Sequence, residues 1–238
     1  MADPDRPDPV TCTIEDGVAV LRIDDGKVNV VSHQVLEQLH AGLDRALEEA
    51  RAVTIVGRPG KLSAGFDLDE MTAGIDRTKA LVGAGGRFLM RLFGHPQPVT
   101  VAVTGHALAA GALLVLACDT RIAADGPAKI GLNETAIGMA LPIYAMELAQ
   151  ARLASSHLTR AAVQAEIYDP AGAVDAGYLD LVVPTDACET TAIAEARRLG
   201  ELSGSAYAGT KRGLRQAIID RVVPGIDGDM DQLTAPRT

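Results

Sequence analysis

The chain has 238 residues, of which 47% are hydrophobic, and its formal net charge at pH 7 is −9. This length and apolar content suffice for one large domain with a complete core. The acidic balance lacks the clustered Lys and Arg that bind nucleic-acid phosphates, although a local basic patch for a nucleotide-bearing ligand remains compatible with it.

The N-terminal residues 1–9 are polar and rich in proline, which predicts a disordered tail without a secretory signal. No apolar run is long enough to span a membrane. The three cysteines, Cys12, Cys118 and Cys188, are widely separated and show neither a disulfide framework nor metal-ligand spacing. We therefore expect a cytoplasmic protein with reduced thiols and no metal site.

The predicted elements begin with a β-hairpin around Asp16 and Gly17, because Asp-Gly is a strong turn signal between apolar runs. Ser32 is expected to cap a helix whose apolar residues recur at helical spacing from Val35 to Leu47. Residues 52–57 read as a buried strand. The following residues 58–61 are predicted to form a loop.

Farther along the chain, an almost wholly apolar helix from about Gly111 to Cys118 must be buried on all sides. The remaining strands are expected at residues 99–104, 121–124, 129–131 and 181–184. The remaining helices are expected at residues 78–93, 142–165, 190–202 and 206–222. The second of these is expected to break at Ser155, and a further short helix is expected to begin at Asp169. Strands separated by single helices predict an α/β fold with parallel pairing, followed by a region rich in helices.

Two small-residue segments carry the chemistry, residues 63–68 and residues 105–111, each following a β-branched run. Turns of this kind can direct two backbone N–H groups at one oxygen. The first amides of a helix lack partners within the helix, and its dipole favours a developing oxyanion. A third segment, residues 130–135, follows soon after and supplies a lone carboxylate, Glu134.

In order and spacing, these three segments resemble the crotonase superfamily, the enoyl-CoA hydratase and isomerase group. The resemblance implies a spiral of ββα units over residues 10–185 and a helical C-terminal region over residues 186–238. It also implies an acyl-CoA thioester substrate and a homotrimer or a dimer of trimers. Coenzyme A would enter as part of the substrate, so no separate cofactor is expected.

By the same resemblance, the N–H groups of Phe66 and Ala110 form the oxyanion hole for the thioester oxygen. The residues assigned to substrate or CoA binding are Lys27, Ala64, Leu68, Gly111, Leu113 and Lys211. Ala109 and Ala110 stand where the family usually has glycine, which would cost energy at a position that needs a positive φ.

The reaction depends on the contrast between Leu113 and Glu134. Family hydratases carry a glutamate at both points, because adding water to a double bond uses two carboxylates. The segment around Glu134 instead resembles that of 3,2-enoyl-CoA isomerases, which use one. A carboxylate among Leu113, Ile137 and Met139 should be poorly solvated, so its pKa should rise towards the range of a group that is base and then acid.

We therefore expect an enoyl-CoA isomerase that moves a double bond from C3 to C2 with Glu134 as the single acid/base. Two alternatives stay open: a hydratase or other crotonase-type reaction with water held by Glu134 alone, and a catalytically silent acyl-CoA-binding protein. The acyl pocket is expected to be aliphatic and shaped by Leu81, Val82, Phe88, Met139, Leu141 and Tyr144.

Overall fold

The computed structural model describes residues 8–233, and its largest sheet has six strands in the order β1-β2-β4-β7-β9-β11. The pair β1 and β2 is antiparallel, and every other neighbouring pair in this sheet is parallel. Its strands are β1 (Val10–Glu15), β2 (Val18–Ile23), β4 (Ala52–Val56), β7 (Val99–Val103), β9 (Thr120–Ala124) and β11 (Leu181–Val183).

Two smaller parallel sheets lie beside it, with the strand orders β10-β8-β5 and β3-β6. Their strands are β3 (Val30–Val31), β5 (Gly60–Ser63), β6 (Gly65–Phe66), β8 (Gly105–Leu108) and β10 (Ile130–Gly131). The chain repeatedly passes from a strand of the large sheet to a strand of a small sheet and then into a helix. This is the predicted spiral of ββα units, and the α/β fold class is confirmed.

The helices of the described residues are α1 (His33–Glu49), α2 (Leu68–Thr72), α3 (Ile75–Phe93), α4 (Ala110–Ala117), α5 (Ile143–Arg152), α6 (Ser155–Leu158), α7 (Pro170–Ala176), α8 (Cys188–Gly200), α9 (Gly204–Val222) and α10 (Ile226–Met230). Short 3-10 turns occur at Thr135–Ile137, Thr185–Ala187 and Val223–Gly225, and a π-helical turn at Thr159–Val163.

Local sequence signals account for several element boundaries. The Ser32 hydroxyl accepts a hydrogen bond from Val35 N–H at 3.2 Å and caps α1 as predicted. Asp16 and Gly17 both have positive φ at the turn of the first hairpin. Asp169 caps α7, whose first residue is Pro170, a residue favoured at that position because it needs no N–H partner.

The core has two layers, one on each face of the large sheet. All eight residues of α4 are buried, as the apolar pattern predicts, and α4 packs in the main core with α1 and α3. On the opposite face, α8 places Cys188, Ala192 and Ala196 against the outward side chains of β2, β4, β7 and β9. The helical C-terminal region therefore closes the sheet's second face.

Some predicted boundaries were wrong. Residues 58–61 were expected to be a loop, yet β5 begins at Gly60 because Gly105 lets the neighbouring strand approach it: a Cβ on Gly105 would lie 1.8 Å from the Gly60 carbonyl carbon. The predicted break at Ser155 is confirmed, since α5 ends at Arg152 and α6 begins at Ser155. Helices α3 and α8 begin three and two residues earlier than expected, at Ile75 and Cys188.

Most of the predicted N-terminal tail, residues 1–7, lies outside the described residues, as do the last five residues of the predicted C-terminal region. Asp8 and Pro9 belong to the predicted tail but are hydrogen-bonded to α1 and to the residue that follows β2. The Asp8 carboxylate accepts from the Gln38 side chain at 2.7 Å, and the Pro9 carbonyl accepts from Asp24 N–H at 2.8 Å.

Candidate active site

The three-stranded sheet brings the three motif segments side by side. In the β5–β8 pairing, Lys61 is opposite His106 and Ser63 is opposite Ala107. In the β8–β10 pairing, Ala107 is opposite Ile130. Segments that are far apart in sequence thus leave one sheet at the same edge, because the carboxyl ends of parallel strands lie together. A single site containing all three segments follows from this register.

An apolar cavity of about 220 Å³ lies at this edge. The residues that line it are Val28, Val30, Ala64, Gly65, Phe66, Leu68, Met71, Val82, Ala109, Leu113, Asn133, Glu134, Ile137, Met139, Pro142 and Tyr144. Among these described residues, Glu134 is the only one with a carboxylate. The set includes most of the predicted site residues and combines an apolar wall with few polar groups, as is usual for small-molecule sites.

Glu134 directly precedes the 3-10 turn and is only 8% exposed. Its backbone carbonyl accepts from Met139 N–H at 2.9 Å, which fixes the loop, while its Oε2 is buried without a hydrogen-bond partner among the described residues. Burial raises the pKa of the Glu134 carboxyl from its ordinary value of 4.5 to about 7. The predicted rise is confirmed, and its cause is the predicted desolvation.

The two predicted oxyanion donors come from neighbouring backbone segments. A Cβ on Gly65 would lie 3.0 Å from the Ala109 side chain and 3.8 Å from Ala110 N. Asp67 N–H donates to Val31 across the β3–β6 pair, so the preceding amide, that of Phe66, points away from β3.

Ala110 is the first residue of α4, where an amide has no acceptor within the helix. The first helical hydrogen bond of α4 runs from Leu113 N–H to Ala109 O at 3.0 Å. The helix dipole makes this end positive.

The backbone of Ala109 is strained. Its φ of 49° and ψ of −122° fall in a region that favours glycine. Its N–H donates to the Gly131 carbonyl at 3.1 Å, so the β10 segment holds the turn in place. Of the two alanines at usual glycine positions, Ala109 therefore has the unfavourable φ, and Ala110 is an ordinary helical residue.

A second cavity of about 250 Å³ shares Val28 and Ala64 with the first. The other residues that line it are Lys61, His106, Leu108 and Lys129. The imidazole of His106, a residue of β8, accepts from Lys129 N–H at 2.9 Å, which fixes the orientation of the ring. Two lysines and three apolar residues therefore line this cavity, which adjoins the first one at Val28 and Ala64.

The structure does not bring all predicted binding residues to these cavities. Ala64, Leu68 and Leu113 line the first cavity, whereas exposed Lys27 lies next to Val28 without lining either. Gly111 has a packing role, because a Cβ there would lie 2.6 Å from the Ser63 carbonyl oxygen.

Lys211 also lines neither cavity. It is 6% exposed, and its ammonium donates to the Asp119 carboxylate at 2.7 Å and to the Gln97 carbonyl at 3.0 Å. Arg215 reaches the same carboxylate at 2.7 Å. Burial lowers the pKa of Lys211 to about 8, with Asp119 opposing the shift. Within this chain Lys211 anchors α9 to the core, and its contact with CoA stays a prediction.

The predicted acyl-pocket residues divide into two groups. Val82, Met139 and Tyr144 line the cavity, whereas Leu81, Phe88 and Leu141 do not. Ile137, which the sequence placed beside Glu134, also lines the cavity, whereas Val30 and Met71 were not predicted. Their positions result from the β3–β6 pairing and from loop packing, for which no local sequence signal exists.

No described helix is long and apolar enough to cross a membrane. Among residues 8–233, no group of three or more His, Cys, Asp or Glu is arranged to hold a metal ion. The three cysteines are free thiols.

Comparison with known proteins identifies the family. The profile described as enoyl-CoA hydratase/isomerase matches residues 13–237, so the chain belongs to that family of the crotonase superfamily. Human mitochondrial enoyl-CoA delta isomerase 1 is 30% identical over 227 residues, which cover 92% of this chain and 74% of the human one. A Bacillus subtilis protein named "Probable enoyl-CoA hydratase" is 34% identical over 134 residues, which cover 55% of this chain and 52% of the Bacillus one.

A solved structure supports the same family assignment. A Pseudomonas syringae protein of the enoyl-CoA hydratase/isomerase family superposes with a TM-score of 0.92 at 39% sequence identity, covering 95% of this chain and 99% of the other. The fold is therefore that of the family throughout the aligned length.

Proposed function

We propose that this enzyme is an enoyl-CoA isomerase that converts a 3-enoyl-CoA into its 2-enoyl isomer. The observation that carries the proposal is the single carboxylate of the cavity: among the described lining residues, Glu134 is alone in this respect, and Leu113 faces the same space with an aliphatic side chain. Moving a double bond needs one group that takes a proton from one carbon and returns it to another.

The backbone supplies the electrostatic part of the mechanism. The thioester oxygen accepts from Phe66 N–H and Ala110 N–H, which stabilises the negative charge that develops when the C2 proton leaves. Glu134 takes that proton. The double bond then moves from C3–C4 to C2–C3 as electrons flow back from the oxygen, and Glu134 returns the proton to C4, so the carboxylate is restored.

Burial suits Glu134 to both steps. With a pKa of about 7 the group is substantially ionised at neutral pH, and its conjugate acid is strong enough to protonate C4. The neighbouring cavity is proposed to hold the nucleotide end of coenzyme A, because its apolar residues suit a base and two lysines, Lys61 and Lys129, are among its lining residues.

A hydratase is the second candidate, and one observation favours it. Asn133 Oδ1 and Glu134 Oε2 are both buried without a partner among the described residues, and both residues line the cavity. Two acceptors in one cavity are suited to hold a water molecule. The relatives named as hydratases are consistent with this alternative, as the relative named as an isomerase is with the first.

The deciding experiment compares two rates on the same preparation: isomerisation of a 3-enoyl-CoA and hydration of the corresponding 2-enoyl-CoA. We expect isomerisation to be much faster. Glu134→Gln keeps the shape but cannot take a proton, so it should abolish isomerisation in a folded protein. Faster hydration in the wild type would select the hydratase, and no turnover of either ester would select a silent acyl-CoA-binding protein.

Leu113→Glu supplies the second carboxylate of a hydratase, and Leu113→Gln is its matched control. If the isomerase proposal is right, Leu113→Glu should gain hydration and Leu113→Gln should not. Because Leu113 is 1% exposed, a carboxylate there would destabilise the fold by several kcal/mol. Unfolding must therefore be measured alongside the two rates.

We also propose a homotrimer or a dimer of trimers in a reducing compartment such as the cytoplasm. Leu202 and Leu214 remain 49% and 75% exposed beside a groove of about 570 Å³, an apolar surface suited to another subunit. Sedimentation as a monomer at micromolar concentration would contradict the assembly.

The buried free thiols of Cys118 and Cys188 fit a reducing environment.

A further inference from the structure

Two consecutive glycines of α3 seat two aromatic rings. A Cβ on Gly85 would lie 2.5 Å from Cε1 and Cζ of Phe66, and a Cβ on Gly86 would lie 2.4 Å from Cδ1 of Tyr144. Glycine inside a helix costs about 1 kcal/mol relative to alanine. At both positions, however, any larger residue would displace a ring. The bare backbone of α3 therefore defines where both rings rest.

Both rings belong to residues that line the cavity of about 220 Å³ around Glu134, called the catalytic cavity below, and Phe66 also lines a small inner cavity of about 10 Å³. The other residues around this inner cavity are Val31, Leu36, Leu39, Gly85, Phe88, Leu89, Ala110 and Leu114. They offer no polar side chain. Among the described residues, Phe66 is the one that lines both cavities. Its ring tip lies against Gly85, on the side of the inner cavity.

The volume of the catalytic cavity limits what it can hold. At about 220 Å³ it is smaller than the 300–1,000 Å³ typical of sites for drug-sized ligands. Tyr144 closes one side of it, since its ring is fully buried and its hydroxyl donates to the Val82 carbonyl at 3.2 Å. The apolar direction in which the cavity could lengthen is past Phe66.

We propose that the Phe66 side chain, seated on Gly85, sets the acyl-chain length of this enzyme and restricts it to short-chain acyl-CoA esters. The inference rests on the proposed acyl-CoA function of the same site. The Phe66 ring then separates the acyl pocket from the inner cavity, into which a longer acyl chain would otherwise extend. The same residue thus has two roles: its backbone amide serves the reaction and its side chain serves specificity.

The test measures dissociation constants by calorimetry for saturated acyl-CoA esters, which bind without turnover, from butanoyl through hexanoyl and octanoyl to decanoyl. The wild type should bind butanoyl-CoA or hexanoyl-CoA best. Phe66→Ala should move the optimum to octanoyl-CoA or longer, because each methylene that becomes buried contributes about fourfold in affinity. Phe66→Leu opens less space and should give an intermediate optimum.

Gly85→Ala provides the opposite perturbation. Its Cβ must push the Phe66 ring away from α3, so the optimum should move to shorter chains or the affinity for hexanoyl-CoA should fall. In the double variant Phe66→Ala/Gly85→Ala the ring is gone, and the optimum should return to that of Phe66→Ala. Gly86→Ala is the matched control: it displaces Tyr144, so Phe66→Ala should not rescue it.

The outcomes separate this inference from the proposed function. If the wild type binds none of the esters, the acyl-CoA function itself fails and the inference fails with it. If the wild type binds short chains and Phe66→Ala keeps the same optimum, the function stands and Phe66 does not set the chain length. Phe66→Leu replaces Phe66→Ala in this comparison if the alanine variant does not fold. Absence of rescue in the double variant would equally overturn the role of the Gly85 seat.

Discussion

The burial of Glu134 makes a quantitative prediction about stability. In the unfolded chain its carboxyl ionises near the ordinary value of 4.5, and in the folded protein burial raises the pKa to about 7. Between these values the folded state holds one more proton than the unfolded state, so stability falls as pH rises through the window. At 1.36 kcal/mol per pKa unit, ionising the buried group costs about 3 kcal/mol above pH 8.

Glu134→Gln removes this cost, because an amide does not ionise. The free energy of unfolding of Glu134→Gln minus that of the wild type should therefore rise by about 3 kcal/mol between pH 4 and pH 8.5. Subtracting the difference in unfolding free energy measured at pH 4 cancels any effect of the buried amide that does not depend on pH. Urea unfolding at intervals across this range, followed by circular dichroism, measures the difference.

Glu48→Gln controls for the loss of a negative charge, since Glu48 is exposed on α1. It should leave the pH dependence of the wild type essentially unchanged. A difference for Glu134→Gln that stays constant within 1 kcal/mol, by the precision expected of such extrapolations, would refute the desolvation of Glu134. The same pKa should appear in catalysis: kcat/KM for isomerisation should fall as pH drops below about 7, because the base becomes protonated.

Three further substitutions test the backbone of the site and the C-terminal anchor. Ala110→Pro removes one proposed oxyanion donor and should slow turnover about 100-fold to 1,000-fold, while a saturated acyl-CoA still binds by calorimetry; an unchanged rate would place the hole elsewhere. Ala109→Gly should raise the free energy of unfolding by about 1 kcal/mol, because relief of the strained φ outweighs the entropy cost of glycine, and a lower urea midpoint would contradict the strain. Lys211→Met leaves the Asp119 carboxylate with one cation fewer and should cost about 3 kcal/mol or more in unfolding experiments; weaker acyl-CoA binding at unchanged stability would instead support the predicted CoA contact.

The sequence by itself determined the elements whose causes are local. The Ser32 cap, the Asp16-Gly17 turn and the wholly apolar α4 were predicted because capping, turn conformation and hydrophobic periodicity act within a few residues. Motif order along the chain was also sufficient to indicate the family, and the contrast between Leu113 and Glu134 was visible without coordinates.

Only the tertiary structure decided how these pieces meet. The β5–β8–β10 register joins segments separated by dozens of residues, and the burial that raises the pKa of Glu134 depends on side chains from several of them. The sequence marked Ala109 and Ala110 as candidates for a positive φ, and only the structure decided that Ala109 has it. The ion pair that Lys211 forms with Asp119 has no local signature. Sequence patterns report propensities of short segments, whereas desolvation, strain and ion pairing depend on atoms that folding brings together from distant parts of the chain.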